Sequence, residues 1–89
     1  MKLDIRAFAS AAGLFWGAAI LMVGAANLAS PGYGSAFLQL LASVYPGYSA
    51  AATPGQVVIG TLYGLVDGAI GGAIFAWLYN WLAERLRPA

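Results

Sequence analysis

Two long apolar runs divide the chain, Ala7 to Leu28 and Val57 to Leu82, and the stretch between them from Ala29 to Thr53 holds no charged side chain. A helix needs about 20 consecutive apolar residues to cross a bilayer. Each run therefore predicts one spanning helix, at 7–28 and 55–82, with residues 29–53 as the connection. Inside the connection a Pro-Gly-Tyr triplet occurs twice, at Pro31-Gly32-Tyr33 and Pro46-Gly47-Tyr48. Proline followed by glycine marks a turn. Between the triplets Phe37, Leu38, Leu40, Leu41 and Val44 fall at spacings that suit a helix, which predicts a short one over about 35–45, too short to span. Two placements suit it equally: a packed connecting loop, or an interfacial helix facing lipid or a partner. The expected fold is an all-α membrane protein, a two-transmembrane-helix hairpin with a short interfacial helix in its connecting loop.

The polar residues that punctuate these runs predict how the helices begin. Asp4 precedes the first run, where its carboxylate can accept from free N–H groups of the first turn. Thr53 followed by Pro54 is a second start, a hydroxyl cap and then a residue whose φ is already helical. The first run, preceded by Lys2 and Arg6, also has the outline of a secretory signal. It exceeds the usual h-region of about 7 to 15 residues, so it is expected to be retained.

Within the second run Gly60, Gly64, Gly68, Gly72 and Ala76 recur every four residues, with Gly71 beside them. On a helix such positions form one slowly rotating stripe of nearly bare backbone. Interior glycines each cost up to about 1 kcal/mol relative to alanine, so close packing must offset them. Lipid tails are as apolar as leucine, and membrane helices associate through small residues and polar contacts instead. The stripe is thus a docking surface, either for the first helix, through Gly13 and Gly17, or for other chains as well.

Asp67 breaks the apolar pattern at mid-run. A carboxylate there costs about 2.5 to 3.5 kcal/mol on insertion scales and is a functional residue by default. In an antiparallel hairpin the first-helix residues at its depth are expected near Ile20 and Leu21, neither of which can pair with it. Tyr63, one turn earlier, is the nearest candidate hydroxyl donor, with Thr61 and Asn27 further toward the loop. Three roles follow: a neutral acid hydrogen-bonded between chains, a polar lining for a pore, or a proton carrier. Trp16 is also off-pattern, an indole in mid-helix. Packing against another helix is the expected use, and a bound pigment or quinone is the alternative.

Composition and charge narrow the class. The 89 residues are 62% hydrophobic and 8% charged, against about 25% charged in soluble domains. The net charge of +1 offers no surface for nucleic acid. All four basic residues, Lys2, Arg6, Arg85 and Arg87, flank the two ends, which by the positive-inside rule puts both termini in the cytoplasm and the connection outside a prokaryotic inner membrane. Tyr33, Tyr45 and Tyr48 on the loop side, and Trp77, Tyr79 and Trp81 on the other, are expected to anchor the two interfaces. With no cysteine and no histidine, neither thiol chemistry nor a catalytic triad can be assembled. The three acids Asp4, Asp67 and Glu84 lie at different depths, so paired-carboxylate chemistry is excluded. No enzyme activity, metal or resident cofactor is expected.

The opening MKLDIRAFASAAGLFWG, the segment YGSAFLQLLASVYPGY and above all YGLVDGAIGGAIFAWLYNWL resemble a family of small two-helix prokaryotic membrane proteins of unknown function that often carry a bacteriophage holin-like label. The resemblance spans nearly the whole chain and is most specific from Tyr63 to Asn80. It implies a multi-pass inner-membrane fold. Two-helix holins self-assemble in that membrane and open it, so the resemblance implies a non-catalytic, oligomerising protein whose partners are the bilayer and its own copies. The alternative is an accessory structural subunit at the periphery of a larger respiratory or photosynthetic complex, partnered by other membrane subunits. A small proton or ion channel comes third and rests on Asp67.

Overall fold

The computed structural model describes residues 2–51 and 53–87. Three helices make up the fold, α1 (Ile5–Ala29), α2 (Ser35–Ala42) and α3 (Pro54–Leu86), and no strand occurs among the described residues. α1 and α3 are both long and apolar enough to cross a membrane. Only 22% and 17% of their most apolar windows is buried, whereas a core helix of a soluble protein would be mostly covered. Most of the apolar surface therefore faces outward, with Leu14, Phe15, Met22, Ile74 and Trp77 among the exposed side chains.

Both long helices start where their caps direct. The Asp4 carboxylate accepts from the N–H groups of Arg6 at 3.0 Å and Ala7 at 3.2 Å. Thr53 Oγ1 accepts from Gln56 N–H at 3.2 Å, and Pro54 occupies the first turn, where its missing N–H leaves no bond unmade. The two Pro-Gly-Tyr triplets form matching turns, in which Tyr33 N–H returns to the Ser30 carbonyl and Tyr48 N–H to the Tyr45 carbonyl. Gly32 and Gly47 hold φ of 101° and 83°, the left-handed value that the third position of a type II turn demands and that other residues resist.

α1 and α3 run antiparallel with their backbones in contact. A Cβ added to Gly68 would lie 2.7 Å from the Ala12 carbonyl oxygen and 2.9 Å from Gly13 Cα. One added to Gly64 would meet Ile20 Cδ1 at 2.6 Å and Gly17 Cα at 3.1 Å, and one on Gly72 the Cβ of Ala12 at 2.6 Å. Ala76 closes the row, fully buried. α1 thus packs along the stripe at Gly64, Gly68 and Gly72, while Tyr48 from the loop joins Ile20 over Gly60. Gly71 lies outside it, exposed, with no atom within 4 Å of an added Cβ.

The register differs from the expected one. Gly68 packs against Ala12, Gly13 and Trp16, while Ile20 meets Gly60 and Gly64. Asp67 therefore lies level with the turn from Gly13 to Trp16 and not with Ile20 and Leu21. The cause is the unequal length of the helices, 33 residues in α3 against 25 in α1. At the far end Leu3 pairs with Asn80, so that α3 overhangs by its last turns.

α2 folds back over the loop end of this pair. Leu38 and Leu41 are buried with Ile20, Tyr45 and Tyr48 in one apolar cluster, while Leu40 on its other side and Val44 just past its end are exposed. The short helix is thus packed on one face and open on the other. Asn27, itself buried, donates from Nδ2 to the Tyr33 carbonyl at 2.9 Å, securing the chain where it leaves α1.

Candidate functional site around Asp67

The site is built from three elements that the α1–α3 packing brings to one level. α1 contributes Trp16, the turn after α2 contributes Tyr45, and α3 contributes Tyr63 and Asp67. The indole N–H of Trp16 donates to the Tyr45 hydroxyl at 3.0 Å, and that hydroxyl donates to Asp67 Oδ2 at 2.8 Å. A single oxygen thus links both long helices to the loop, accepting on one side and donating on the other. Aromatic contacts hold it in place: Tyr45 stacks on Tyr63 with centroids 4.9 Å apart and planes 10° from parallel, and the edge of Phe37 meets Trp16 at 5.8 Å and 84°. Such pairs contribute about 0.5–1.5 kcal/mol beyond their burial.

Burial pushes the Tyr45 hydroxyl above its ordinary pKa of 10.0; the Trp16 hydrogen bond opposes this, and the hydrogen bond and charge of Asp67 add to it. Tyr45 therefore keeps its proton and remains a donor to Asp67. Burial alone raises Tyr48 in the same direction. Asp67 itself is exposed on the outer side of α3. Its Oδ2 is taken by Tyr45, and among the described residues no other hydrogen bond reaches its carboxylate. The one salt bridge found there joins Arg87 to Glu84 at 2.9 Å at the far end of the chain, highly exposed on both sides and of little energetic weight.

Several sequence-predicted residues take other places. Tyr63 does not donate to Asp67; its hydroxyl turns to the Pro46 carbonyl, because the loop folds down beside it and presents an acceptor closer to hand. Tyr45 and Tyr48, expected at the headgroup level, are buried, 5% and 7% exposed, since α2 draws the second Pro-Gly turn inward over Ile20 and Gly60. Tyr33, Trp77, Tyr79 and Trp81 do face outward, and Arg85 lies over the Trp81 ring at 4.9 Å. Trp16 was expected to pack against another helix; it meets Phe37 of α2, and its N–H carries a polar contact that packing alone did not foretell. Asn80 was also missed: its side-chain amide takes the Leu3 N–H at 2.7 Å and gives to the Leu3 carbonyl at 2.9 Å. An asparagine amid an aromatic belt was the only signal of that role.

Chemically the arrangement offers one acid with one donor. No group of three His, Cys, Asp or Glu side chains that could hold a metal ion occurs among the described residues. The fold and site together define an all-helical hairpin, with two arms apolar enough to cross a membrane and a carboxylate presented from one of them. No protein-family model, no curated protein and no solved structure matches the chain.

Proposed function

We propose that this protein is a non-catalytic, holin-like hairpin of the prokaryotic inner membrane, both termini cytoplasmic, that assembles with copies of itself. One observation carries the reading: Asp67 stands exposed on the outer face of an apolar helix, held by a single hydrogen bond from Tyr45. A carboxylate facing lipid tails is costly, and a polar neighbour in an assembly removes that cost. The α1–α3 glycine packing supports the same reading from another side, since it makes the hairpin a rigid unit whose outward surfaces remain for assembly. Extraction in mild detergent, followed by the mass and composition of the particle, tests it. A homo-oligomer, together with loss of membrane potential on expression, is the expected result. A few copies within a large mixed particle would sink it.

That second outcome corresponds to an accessory subunit of a larger membrane complex, for which one feature speaks. An apolar groove of ≈ 490 Å³ lies beside α1 between Phe15, Ala19, Met22, Val23, Ala26 and Tyr33. It suits an acyl chain or a neighbouring subunit. The groove carries no polar requirement of its own, whereas Asp67 does, and self-assembly is therefore the leading reading.

A further inference from the structure

The unequal length of the long helices leaves a step at the end of the molecule away from the loop. There α3 runs on past the start of α1, and the Leu3 backbone is held against it by the two hydrogen bonds of Asn80. That fork sets the neighbouring residue, Lys2, beside two adjoining clefts of ≈ 570 and ≈ 240 Å³, which share Lys2, Asn80 and Glu84. Arg87 lines the larger cleft, and Trp77 and Trp81 line the smaller. Arg85 lies over the Trp81 ring at 4.9 Å, a third cation close by. Arg87 bridges Glu84 through Nη2 at 2.9 Å and retains its other N–H donors. No ion pair of Lys2 occurs among the described residues.

We propose that these joined clefts hold one anionic phospholipid, its phosphate between Lys2 and Arg87 and an acyl chain along Trp77. The proposal rests on α1 and α3 spanning a membrane and is independent of self-assembly. Basic pockets at the ends of membrane helices recognise acidic headgroups, and charge selects the anion here. Two cations face one acid that is already bridged, so the cleft is left positive, and a zwitterionic lipid would bring a further ammonium into it. Depth selects a lipid over a soluble anion. Trp77 lies one turn nearer the apolar interior of α3 than Trp81, so the polar and apolar linings follow one another in the order of a headgroup and its acyl chain. Tryptophans belong at that level of a bilayer. Lys2 reaches the cleft because Asn80 holds Leu3, which makes this a built site and not a general attraction between basic ends and an acidic surface.

The tryptophans at the cleft supply the readout. The whole protein is reconstituted in phosphatidylcholine vesicles, and quenching of its tryptophan emission by brominated phosphatidylglycerol is compared with quenching by brominated phosphatidylcholine. Trp16, packed against Phe37, adds the same background with either lipid. Quenching several-fold stronger by phosphatidylglycerol is the expected result. Lys2→Gln should bring the ratio of the two close to one. Asn80→Leu keeps every charge but releases Leu3, and it should lower the ratio as far. Arg6→Gln removes an exposed charge at the same end but outside the clefts, and should leave the ratio unchanged. Equal losses in Lys2→Gln and Arg6→Gln with none in Asn80→Leu would reveal diffuse attraction and overturn the site, as would a ratio near one in the unsubstituted protein. A saturable emission change on adding inorganic phosphate to pure phosphatidylcholine vesicles would make a soluble anion the ligand and overturn the lipid. Quenching by neither brominated lipid would overturn the membrane placement itself.

Discussion

Tyr45 and Asp67 are 22 residues apart in the chain, yet the hydroxyl of the first donates to the carboxylate of the second at 2.8 Å. The tyrosine arrives from the connecting loop and the aspartate from the interior of α3, so the bond measures how far the loop folds down between the arms. The same hydroxyl accepts the Trp16 N–H. Tyr45→Phe therefore leaves two polar groups without partners while keeping the ring and its stacking on Tyr63. A loss of about 1–3 kcal/mol is expected, read as a lower unfolding midpoint in detergent titration with a shift of indole fluorescence. Tyr63→Phe removes only the link to the Pro46 carbonyl and should cost less. An unchanged midpoint and unshifted emission for Tyr45→Phe would show that the Trp16–Tyr45–Asp67 chain carries no stability.

Gly68 and Gly55 form a contrasting pair on the same helix. A methyl on Gly68 would meet the Ala12 carbonyl oxygen and Gly13 Cα, backbone atoms that can yield only by moving a helix, whereas a methyl on Gly55 has open space. Gly68→Ala should cost about 1–3 kcal/mol as overpacking, less the gain of about 0.5–1 kcal/mol that alanine brings to any helix interior. Gly55→Ala, near the start of α3, should be neutral or slightly stabilising. Unfolding midpoints of the two variants in the same detergent decide it, and a Gly68→Ala protein as stable as Gly55→Ala would deny the close α1–α3 approach.

The loop tyrosines give the hairpin an alkaline limit. Tyr45 and Tyr48 both have pKa values raised above 10.0, with burial the leading cause in each. In the unfolded chain these hydroxyls ionise near the ordinary value, and in the folded chain later. The folded state thus holds the extra protons above that value, and stability falls as pH rises from 10 through the folded pKa values. Below pH 10 these groups add no pH dependence. Unfolding midpoints against pH should bend downward above 10 and bend less in Tyr45→Phe. Phenolate absorbance should show a component that titrates above the ordinary value, and that component should shrink in Tyr45→Phe. The lack of any component above the ordinary value would contradict the inward placement of Tyr45 and Tyr48.

What the sequence makes legible is what local pattern encodes. The apolar runs around Gly13 and Gly68 predict two long helices, Asp4 and Thr53 mark where they start, and Pro31-Gly32 and Pro46-Gly47 mark the turns, because each depends on a few neighbouring residues. The four-residue spacing from Gly60 to Ala76 identifies a docking stripe but not its occupant, since the spacing is the same whichever helix fills it. Register is less accessible. Centring the two runs on one another sets Asp67 against Ile20, whereas the overhang of α3 past Asn80 shifts it to the level of Trp16. The bond to Tyr45 needed that register together with the depth of the loop, and an aromatic followed by Pro-Gly is as compatible with an interface as with an interior.

At the opposite end Asn80 fixes the start of the chain to α3. Its amide forms a two-bond fork on the Leu3 backbone, N–H to Oδ1 at 2.7 Å and Nδ2–H to the carbonyl at 2.9 Å. Asn80→Leu removes both bonds, each contributing about 0.5–1.5 kcal/mol. Asn80→Asp keeps the acceptor for the N–H but sets a carboxylate oxygen against the Leu3 carbonyl, so it should behave nearly as badly. The loss should stay local, because the glycine contacts from Gly13 to Gly24 hold the rest of the register without it. Hydrogen exchange resolved by residue is the measurement. Protection of the Leu3 amide should fall to the open-chain level in Asn80→Leu and most of the way there in Asn80→Asp, while amides around Gly17 and Gly64 keep theirs. If those central amides also lose protection, Asn80 governs the pairing of the two helices, and the glycine stripe alone does not hold the register that brings Trp16, Tyr45 and Asp67 to one level.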